Sequence, residues 1–529
     1  MHSWNMGYDT ETIYDFGYFS FLNLYQTRFK FISQGVAFPE IGPDFNACEL
    51  GFGNGVSIVM HAVNSPAQWY GNDFNPSQVY FAQKMADSAK VKLHLTDDAF
   101  DQYLKRDDLP MFDFICLHGI WSWISEENQD IIVEFIKRHL KIGGVVYLSY
   151  NIGAGFGSIE PFRYLLRSYV QTLGDPALPN VHNLPAAFEF IDKLMELNPG
   201  YLKYSPWIKD IYKERIYNKE RNYVSHEYLN TFWSLLNFND VAAKLEPAKL
   251  NFVCQARAID DLDEFYLKDN EMEFLKPFAN TQLLYQSIRD YIGFQTFRCD
   301  LYVKGLRPLN FQQQLDELDK TYFIWVQDPS FNDFHIDTRL GSIKVDLERL
   351  KGIKLVLSDL NCHSYRQLRM TLCKEYATKA PQGIKLVSAQ QLLDDVIYAV
   401  SVGMILITVP PEQISDEIIA QAQALNNEIL NNTFPANIQA LNSPVLGGGL
   451  AIEDIHKFLL RLVLKYPQLN EEELAKLILN MQEKDASLLK FQLNGQETNN
   501  KQSQQDILKD FVHSFMVFRV PILRKLCFL

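Results

Sequence analysis

Three glycines at alternate positions, Gly51, Gly53 and Gly55, directly follow the short half-apolar run at residues 45–50. Residues 56–63 are apolar at helical spacing. The pattern predicts a β-strand, a glycine-rich turn and an α-helix, and glycines at such a turn let the backbone approach a ligand closely. The first strand therefore predicts a parallel sheet with a ligand at its carboxyl edge.

The alternation of strands and helices continues for about a hundred residues. We expect the later strands at 68–73, 91–95, 112–117 and 145–149, with helices at 76–90 and 126–140. Pro76 suits the first turn of its helix. Regular β–α alternation predicts a doubly wound, parallel α/β sheet of the Rossmann-like class.

The glycine spacing narrows the choice of ligand. A dinucleotide fingerprint needs glycine or alanine at position 56, where Val56 stands, and a P-loop needs a Gly-Lys-Ser/Thr sequence that does not follow. NAD and a purely structural glycine turn remain as alternatives. The arrangement Glu49-x-Gly51-x-Gly53-x-Gly55 resembles instead the motif of the class I S-adenosylmethionine (SAM) methyltransferases.

Acidic residues stand at the ends of three predicted strands, and the resemblance assigns each of them a part of SAM. Glu49 suits the ammonium of the amino-acid end, and Asp73 can accept the two ribose hydroxyls. Asp97 or Asp98 can accept from the adenine amine. The cofactor-binding residues that we predict are Tyr18, Glu49, Gly51, Gly53, Gly55, Asp73, Phe74, Asp97, Asp98 and His118.

The tips of the fourth and fifth strands face the transferred methyl group in such a fold. The fourth carries His118, Trp121 and Trp123, and the fifth carries Tyr150 and Asn151. We take these five as the catalytic candidates, with Tyr147 as a further aromatic wall. Plain packing of the two tryptophans, and a structural hydrogen-bonding role for His118, are the alternatives. Asn-Pro-Pro-Tyr, typical of DNA amino-methylation, does not occur at this tip.

The loop Gly119-Ile-Trp-Ser-Trp-Ile124 and the strand Val146-Tyr-Leu-Ser-Tyr-Asn151 resemble bacterial methyltransferases that carry a methyltransferase regulatory domain. Tyr14-Asp-Phe-Gly-Tyr-Phe19 is similar to the N-terminal lid of that family, in which Tyr18 would cover the cofactor. The chain departs from the family at residues 154–156, where Ala-Gly-Phe replaces Pro-Gly-Trp, and at Leu24, where a proline is usual.

Residues 220–305 resemble the regulatory domain itself, through His226-Glu-Tyr-Leu-Asn230, Arg289-Asp290 and Gln295-Thr-Phe-Arg-Cys-Asp300. His226 and Tyr228 are candidates to face the substrate, and we expect structural ion pairs among the Arg and Asp residues. The predicted units are a lid (1–40), the SAM-binding domain (41–175), a helical connector broken at Pro206 (176–222), an α+β regulatory domain (223–308) and C-terminal modules (309–529).

The C-terminal part offers no catalytic cluster. We expect helices at 312–318 and 388–399, the latter capped by Ser388, and a strand at 404–409, in a mixed, winged-helix-like layout. Residues 342–347 and 353–357 are short strands or short helices. Gly447-Gly448-Gly449 is interpreted as a flexible turn, residues 494–505 as a loop, and 507–529 as a docking helix or strand.

The net charge and the cysteine content argue against a nucleic-acid-binding protein and against a disulfide-bonded one. The 529 residues hold 50 Lys and Arg against 64 Asp and Glu, and the net charge of −14 argues against non-specific nucleic-acid binding. Seven cysteines without a Cys-x-x-Cys pair favour free thiols in a reducing compartment. The sequence has neither a metal-binding motif nor an apolar run long enough for a membrane span, and the expected location is the cytoplasm.

The resemblance implies a SAM-dependent methyltransferase that acts on a nitrogen nucleophile. Within the family, the rickettsial protein-lysine methyltransferases are dimers, so a protein lysine acceptor and a homodimer are expected. An aromatic pocket would favour the neutral amine that methyl transfer needs. A small-molecule methyltransferase and a SAM-binding scaffold without turnover are the alternatives.

Overall fold

The computed structural model describes residues 16–328, 333–434, 437–484 and 501–528. Its N-terminal half alternates helices and strands around one sheet. In chain order these are α1 (Leu24–Ser33), β1 (Asn46–Leu50), α2 (Val56–Val63), β2 (Gln68–Asn72), α3 (Pro76–Ala89), β3 (His94–Thr96), α4 (Phe100–Tyr103), β4 (Phe112–Leu117), α5 (Glu126–His139) and β5 (Leu140–Asn151). The Rossmann-like α/β class predicted from the sequence is confirmed.

Side-chain caps start several of these helices. The Asn75 side chain accepts from the Ser77 backbone N–H ahead of Pro76, and Ser125 caps α5 in the same way. The third strand begins three residues later than predicted. Lys90, in a left-handed conformation, ends α3, and the Val91 N–H bonds back to the Ala86 carbonyl, so the chain becomes extended only at His94.

A helical connector follows the fifth strand. It comprises α6 (Gly153–Phe156), α7 (Glu160–Leu173), α8 (Asn180–Glu196), α9 (Gly200–Tyr204), α10 (Ile208–Tyr212), a π-helical turn (Lys213–Tyr217) and α11 (Arg221–Tyr228). Pro206 separates α9 from α10, as predicted. These helices bury a hydrophobic cluster of their own that includes Leu166, Phe188 and Ile191.

The next elements return to the sheet. They are α12 (Phe238–Leu245), β6 (Leu250–Gln255), α13 (Ala258–Asp261), α14 (Asp263–Tyr266), α15 (Asp269–Leu275), α16 (Gln282–Gly293) and β7 (Phe297–Lys304). The seven-stranded order is β3-β2-β1-β4-β5-β7-β6, and β7 runs antiparallel to both neighbours. The sheet is therefore not wholly parallel, and it extends beyond the boundary predicted at residue 175 into the segment 223–308.

The C-terminal part adds helices and three small sheets. Its elements are α17 (Phe311–Leu318), β8 (Tyr322–Trp325), β9 (His335–Thr338), β10 (Gly341–Lys344), α18 (Lys351–Leu357), β11 (His363–Ser364), α19 (Tyr365–Leu372), α20 (Ala389–Ser401), β12 (Ile405–Thr408), α21 (Asp416–Leu430), β13 (Ala440–Ser443), β14 (Gly448–Ala451), α22 (Asp454–Lys465), α23 (Glu471–Lys484), α24 (Lys501–Ser514) and α25 (Val520–Lys525). One sheet has the antiparallel order β11-β8-β12, and β9–β10 and β13–β14 are hairpins.

Several C-terminal predictions can be compared with these elements. Ser388 caps α20 as expected, and residues 353–357 are helical. Of the predicted loop at 494–505, residues 494–500 lie outside the described residues, whereas 501–505 begin α24. The last segment is helical. The winged-helix-like layout stays a prediction.

The three consecutive glycines are not a flexible turn. Gly447 has a φ of +67° and makes the turn of the β13–β14 hairpin, whereas Gly448 and Gly449 are buried strand residues. The hairpin lies on the N-terminal segment, since the Asn23 side chain donates to the carbonyls of Leu446 and Gly447, each at 2.9 Å. Glycine is needed here because side chains of the N-terminal segment and of α2 pack directly against the backbone of the hairpin.

Gly448→Ala is expected to destabilise the protein by about 1–3 kcal/mol through overpacking. A Cβ at position 448 would lie 2.4 Å from the Tyr18 hydroxyl oxygen and 3.0 Å from Nδ1 of the buried His61. Denaturant unfolding measures the loss, and Gly157→Ala is the control because nothing lies within 4 Å of its Cβ position. Equal stabilities of the two variants would contradict this account of the hairpin.

Candidate functional site

The glycine loop after β1 forms the floor of a cavity at the carboxyl edge of the sheet. Gly51, Gly53 and Gly55 all have positive φ, at +64°, +59° and +73°. A Cβ at Gly51 would lie 2.3 Å from Ile120 Cδ1, and one at Gly55 would lie 2.4 Å from Ala82 Cβ. Only glycine meets both the backbone and the space requirement at these two positions.

Eight of the predicted site residues line this cavity, and they lie at or just after the ends of three different strands, β1, β2 and β4. They are Glu49, Gly51, Gly53, Gly55, Asp73, Phe74, His118 and Trp123. Their sequence separation is large, but parallel strands bring their carboxyl ends to one edge.

Glu49 is the buried acid of the cavity. Its side chain is 3 % exposed, and Oε2 has no hydrogen-bond partner. Burial, and secondarily the negative charge of Asp73, raise the pKa of Glu49 to about 8. Among the described residues, neither a cation nor a hydrogen-bond donor faces this oxygen.

Asp73 is held in place by the backbone around it. Its Oδ2 accepts from the Gly53 N–H at 2.9 Å, and Oδ1 accepts from the Asn75 N–H at 3.0 Å. Burial raises the pKa of Asp73 to about 7, and these two N–H donors oppose the rise. The glycine loop and the acid at the end of β2 thus form one hydrogen-bonded unit.

The end of the third strand is arranged differently from the prediction. Asp97 is exposed, and Asp98 pairs with Arg106 at 3.0 Å; neither lines the cavity. Ala99 and Phe100 line it instead. The chain turns into α4 directly after Asp98, and this turn brings the next two side chains to the cavity.

Tyr18 does not line the cavity either. Its ring lies against His61, with centroids 5.3 Å apart, beneath the glycine hairpin. Its neighbour Phe19 lines the cavity and contacts the His118 ring at a centroid distance of 4.0 Å. The Phe19 N–H donates to Ser57 Oγ at 2.9 Å, which fixes the segment to α2.

His118 is an uncharged residue in the wall of the cavity. Its Nδ1 lies 2.8 Å from the Tyr147 hydroxyl and 3.2 Å from Ser149 Oγ. Burial lowers the pKa of His118 to about 3, so the ring is uncharged at physiological pH. The Tyr147 hydroxyl is engaged with His118 and Tyr147 does not line the cavity.

The predicted aromatic pocket is only partly assembled. Trp123 lines the cavity, whereas Trp121 is 1 % exposed inside the core between the sheet and α5, where its carbonyl accepts from Gln129. Tyr150 is fully buried and donates to Asp300 Oδ2 at 2.7 Å. Asn151, also buried, donates to Glu227 Oε1 at 3.1 Å.

Residues missed by the sequence analysis complete the cavity wall. Among them are Phe19, Asn72, Phe100, Ile120, Asn128 and Phe232. Phe232 follows the His-Glu-Tyr-Leu-Asn motif, which was a signal that this segment approaches the site. Of the two candidates in that motif, Tyr228 is buried with its hydroxyl donating to the Arg215 carbonyl, and His226 is buried.

The predicted ion pairs of the 289–300 region are confirmed. Arg298 is fully buried and binds Asp290 at 2.7 Å and Asp300 at 3.0 Å. Arg289 binds Asp263 at 2.9 Å. These charges hold β7 and α16 together and do not line the cavity.

All seven cysteines are free thiols. Within the described ranges, no helix combines the length and the apolar character needed to cross a membrane, and no three His, Cys, Asp or Glu side chains are grouped to hold a metal ion.

Known proteins resemble this chain in sequence. An uncharacterized protein of Synechocystis sp. (strain ATCC 27184 / PCC 6803 / Kazusa) is 29% identical over 527 residues, 99% of either chain. An uncharacterized protein of Rickettsia prowazekii (strain Madrid E) is 27% identical over 206 residues, which are 38% of this chain and 80% of the relative.

Among solved structures, PKMT2 from Rickettsia typhi in complex with AdoHcy has a TM-score of 0.65 at 18% identity, covering 97% of this chain and 100% of that one. Residues 220–304 match the family described as "Predicted methyltransferase regulatory domain". The resemblance predicted from the sequence is therefore confirmed: the chain shares the fold of PKMT2, and residues 220–304 match the model of the methyltransferase regulatory domain.

Proposed function

We propose that this protein is a SAM-dependent methyltransferase and that its acceptor is a lysine amine of a protein substrate. The observation that carries the cofactor assignment is Glu49 Oε2, a buried carboxyl oxygen at the cavity wall that has no partner among the described residues. The ammonium of SAM is the complement of that group. The likeness to PKMT2, solved with AdoHcy, supports the same cofactor and favours a protein acceptor.

The cavity residues fit the remaining parts of SAM. Asp73, fixed by the Gly53 N–H, offers carboxylate oxygens for the ribose hydroxyls. The glycine loop leaves room beside the backbone for the ligand. When bound, the cofactor supplies a methyl group on a positively charged sulfur, so the protein has mainly to position the acceptor and exclude water.

The cavity walls supply those two functions. Phe19, Trp123 and Phe232 form apolar surfaces from three distant parts of the chain. An apolar wall disfavours the charged ammonium and so favours the neutral amine that can attack a methyl group. His118, uncharged, contributes a polar edge without adding a competing positive charge.

Incubation of the purified protein with methyl-labelled SAM and an extract of its source cell is expected to place label on lysine of a protein. Glu49→Gln combined with Asp73→Asn is the control and should abolish labelling. Label in small molecules alone would support a metabolite methyltransferase. SAM binding without any label would support a scaffold without turnover.

We further propose that the enzyme is cytoplasmic and homodimeric. The seven free thiols support a reducing compartment. The homodimer rests on the family resemblance, and sedimentation equilibrium of the purified chain tests it.

A further inference from the structure

Glu227 lies where the regulatory domain meets the wall of the cavity. The indole Nε1 of Trp123, a cavity residue, donates to the Glu227 carbonyl at 3.3 Å. Phe232, five residues further along the chain, lines the cavity as well. Glu227 is thus fixed beside the aromatic end of the site by its own backbone.

The carboxylate of Glu227 is directed toward the end of β5. Its Oε1 accepts from Asn151 Nδ2 at 3.1 Å, and Asn151 is the last residue of that strand. Glu227 is half-buried, and among the described residues no cation forms an ion pair with it. By contrast, the buried carboxylate Asp300 has Arg298 as its partner, as is usual for buried charges.

We propose that Glu227 is a catalytic residue that binds the ammonium group of the methyl acceptor and removes one of its protons. The inference rests on the proposed function, since it assigns the acceptor end of the same site. Asn151 acts as a positioning residue that orients the carboxylate. The ring of Trp123 adds a cation–π surface for the incoming ammonium.

The Glu227 carboxylate takes one proton from the lysine ammonium and leaves a neutral amine. The nitrogen lone pair then forms the new N–C bond while the C–S bond of SAM breaks and its electron pair stays on sulfur. The products are a methylated ammonium, a neutral thioether and a protonated Glu227, which returns its proton to solvent when the product leaves.

The local charges suit a proton acceptor near neutral pH. Burial raises the pKa of Glu227 to about 8, while the side-chain hydrogen bonds of Asn151 and Trp233 and the positive charge of Arg163 on α7 oppose the rise. Tyr228 on the same helix is the other titratable neighbour, and burial keeps its hydroxyl protonated. The carboxylate form of Glu227 therefore becomes more populated between pH 6 and pH 9.

Glu227→Gln is expected to lower methyl transfer about 100-fold at saturating SAM. The wild-type rate should rise with pH through the ionisation of Glu227, and this rise should be absent in the variant. Unchanged calorimetric SAM binding shows that the variant is folded. Glu220→Gln is the matched control, because this exposed carboxylate immediately precedes the same helix.

A second measurement does not depend on turnover. n-Butylamine, a mimic of the lysine side chain, is titrated into the AdoHcy-loaded protein and followed by saturation-transfer NMR. Wild type and Glu220→Gln should give a signal that Glu227→Gln loses. Equal n-butylamine signals in all three proteins overturn the role of Glu227, whatever the labelling experiment shows, whereas loss of the signal in Glu227→Gln alone supports it even without labelling.

Discussion

Glu49→Gln is expected to weaken SAM binding by about 100-fold, because removal of one member of a buried charge pair typically costs ~2–5 kcal/mol. Within the part of the chain that the structure describes, Oε2 of the wild-type carboxylate has no partner, so we expect it to pair with the ammonium of the cofactor. Glutamine keeps the shape and removes the charge. Isothermal calorimetry measures the dissociation constants, and the exposed Glu40→Gln is the control.

The same interaction predicts proton release. With a pKa of about 8, Glu49 is mostly protonated in the free protein at pH 7, whereas pairing with an ammonium requires the carboxylate. Binding at pH 7 should therefore release close to one proton, measured as a difference in binding enthalpy between two buffers of unequal ionisation enthalpy. Glu49→Gln should lose this release. Unchanged affinity and unchanged proton release in the variant would contradict the assignment.

The stability of the free protein should decrease as the pH rises. The pKa of Glu49 is higher in the folded than in the unfolded chain, so the folded state binds more protons between about pH 4.5 and pH 8. The free protein is therefore expected to melt at a lower temperature at pH 8.5 than at pH 6. In Glu49→Gln the melting temperature should depend less on pH. The pH dependence that remains in this variant is due to Asp73, whose pKa is also raised by folding.

The glycine-loop end of the cavity was predictable because it depends on local sequence. The glycine spacing fixes a turn with positive φ, and the strand-end rule places Glu49 and Asp73 beside it. Neither step needs knowledge of a distant segment. Asp98 shows the limit of the rule, since a nearby arginine, Arg106, takes its carboxylate away from the cavity.

The aromatic end of the cavity was not predictable in the same way, because distant segments decide which side chains stay open. Tyr18 and Phe19 are adjacent and both aromatic, and the β13–β14 hairpin, more than 400 residues later, covers the first of them. Tyr150 is at a strand end, but β7 pairs with β5 there and supplies Asp300 as its partner. No periodicity near residues 18 or 150 carries this information.

Arg298→Met is expected to destabilise the protein by about 3–5 kcal/mol, the usual cost of breaking a buried ion pair from one side. Arg298 is fully buried between Asp290 and Asp300, and Gln286 accepts from its Nη2 at 3.0 Å. The variant leaves two carboxyl groups buried without their cation. Denaturant unfolding measures the loss, and Tyr150→Phe, which removes one neutral partner of Asp300, should cost only about 1 kcal/mol.

The pH dependence separates this electrostatic cost from lost packing. Burial already raises the pKa of Asp290 to about 6 although the charge of Arg298 opposes the rise. Without the arginine, the pKa of both carboxyl groups rises further, so protonation relieves the variant at low pH. The destabilisation should therefore be larger at pH 8 than at pH 5, and replacing Asp290 and Asp300 by leucine in the same chain should recover part of it. A loss that is equal at both pH values would mean that Arg298 stabilises β7 through packing alone.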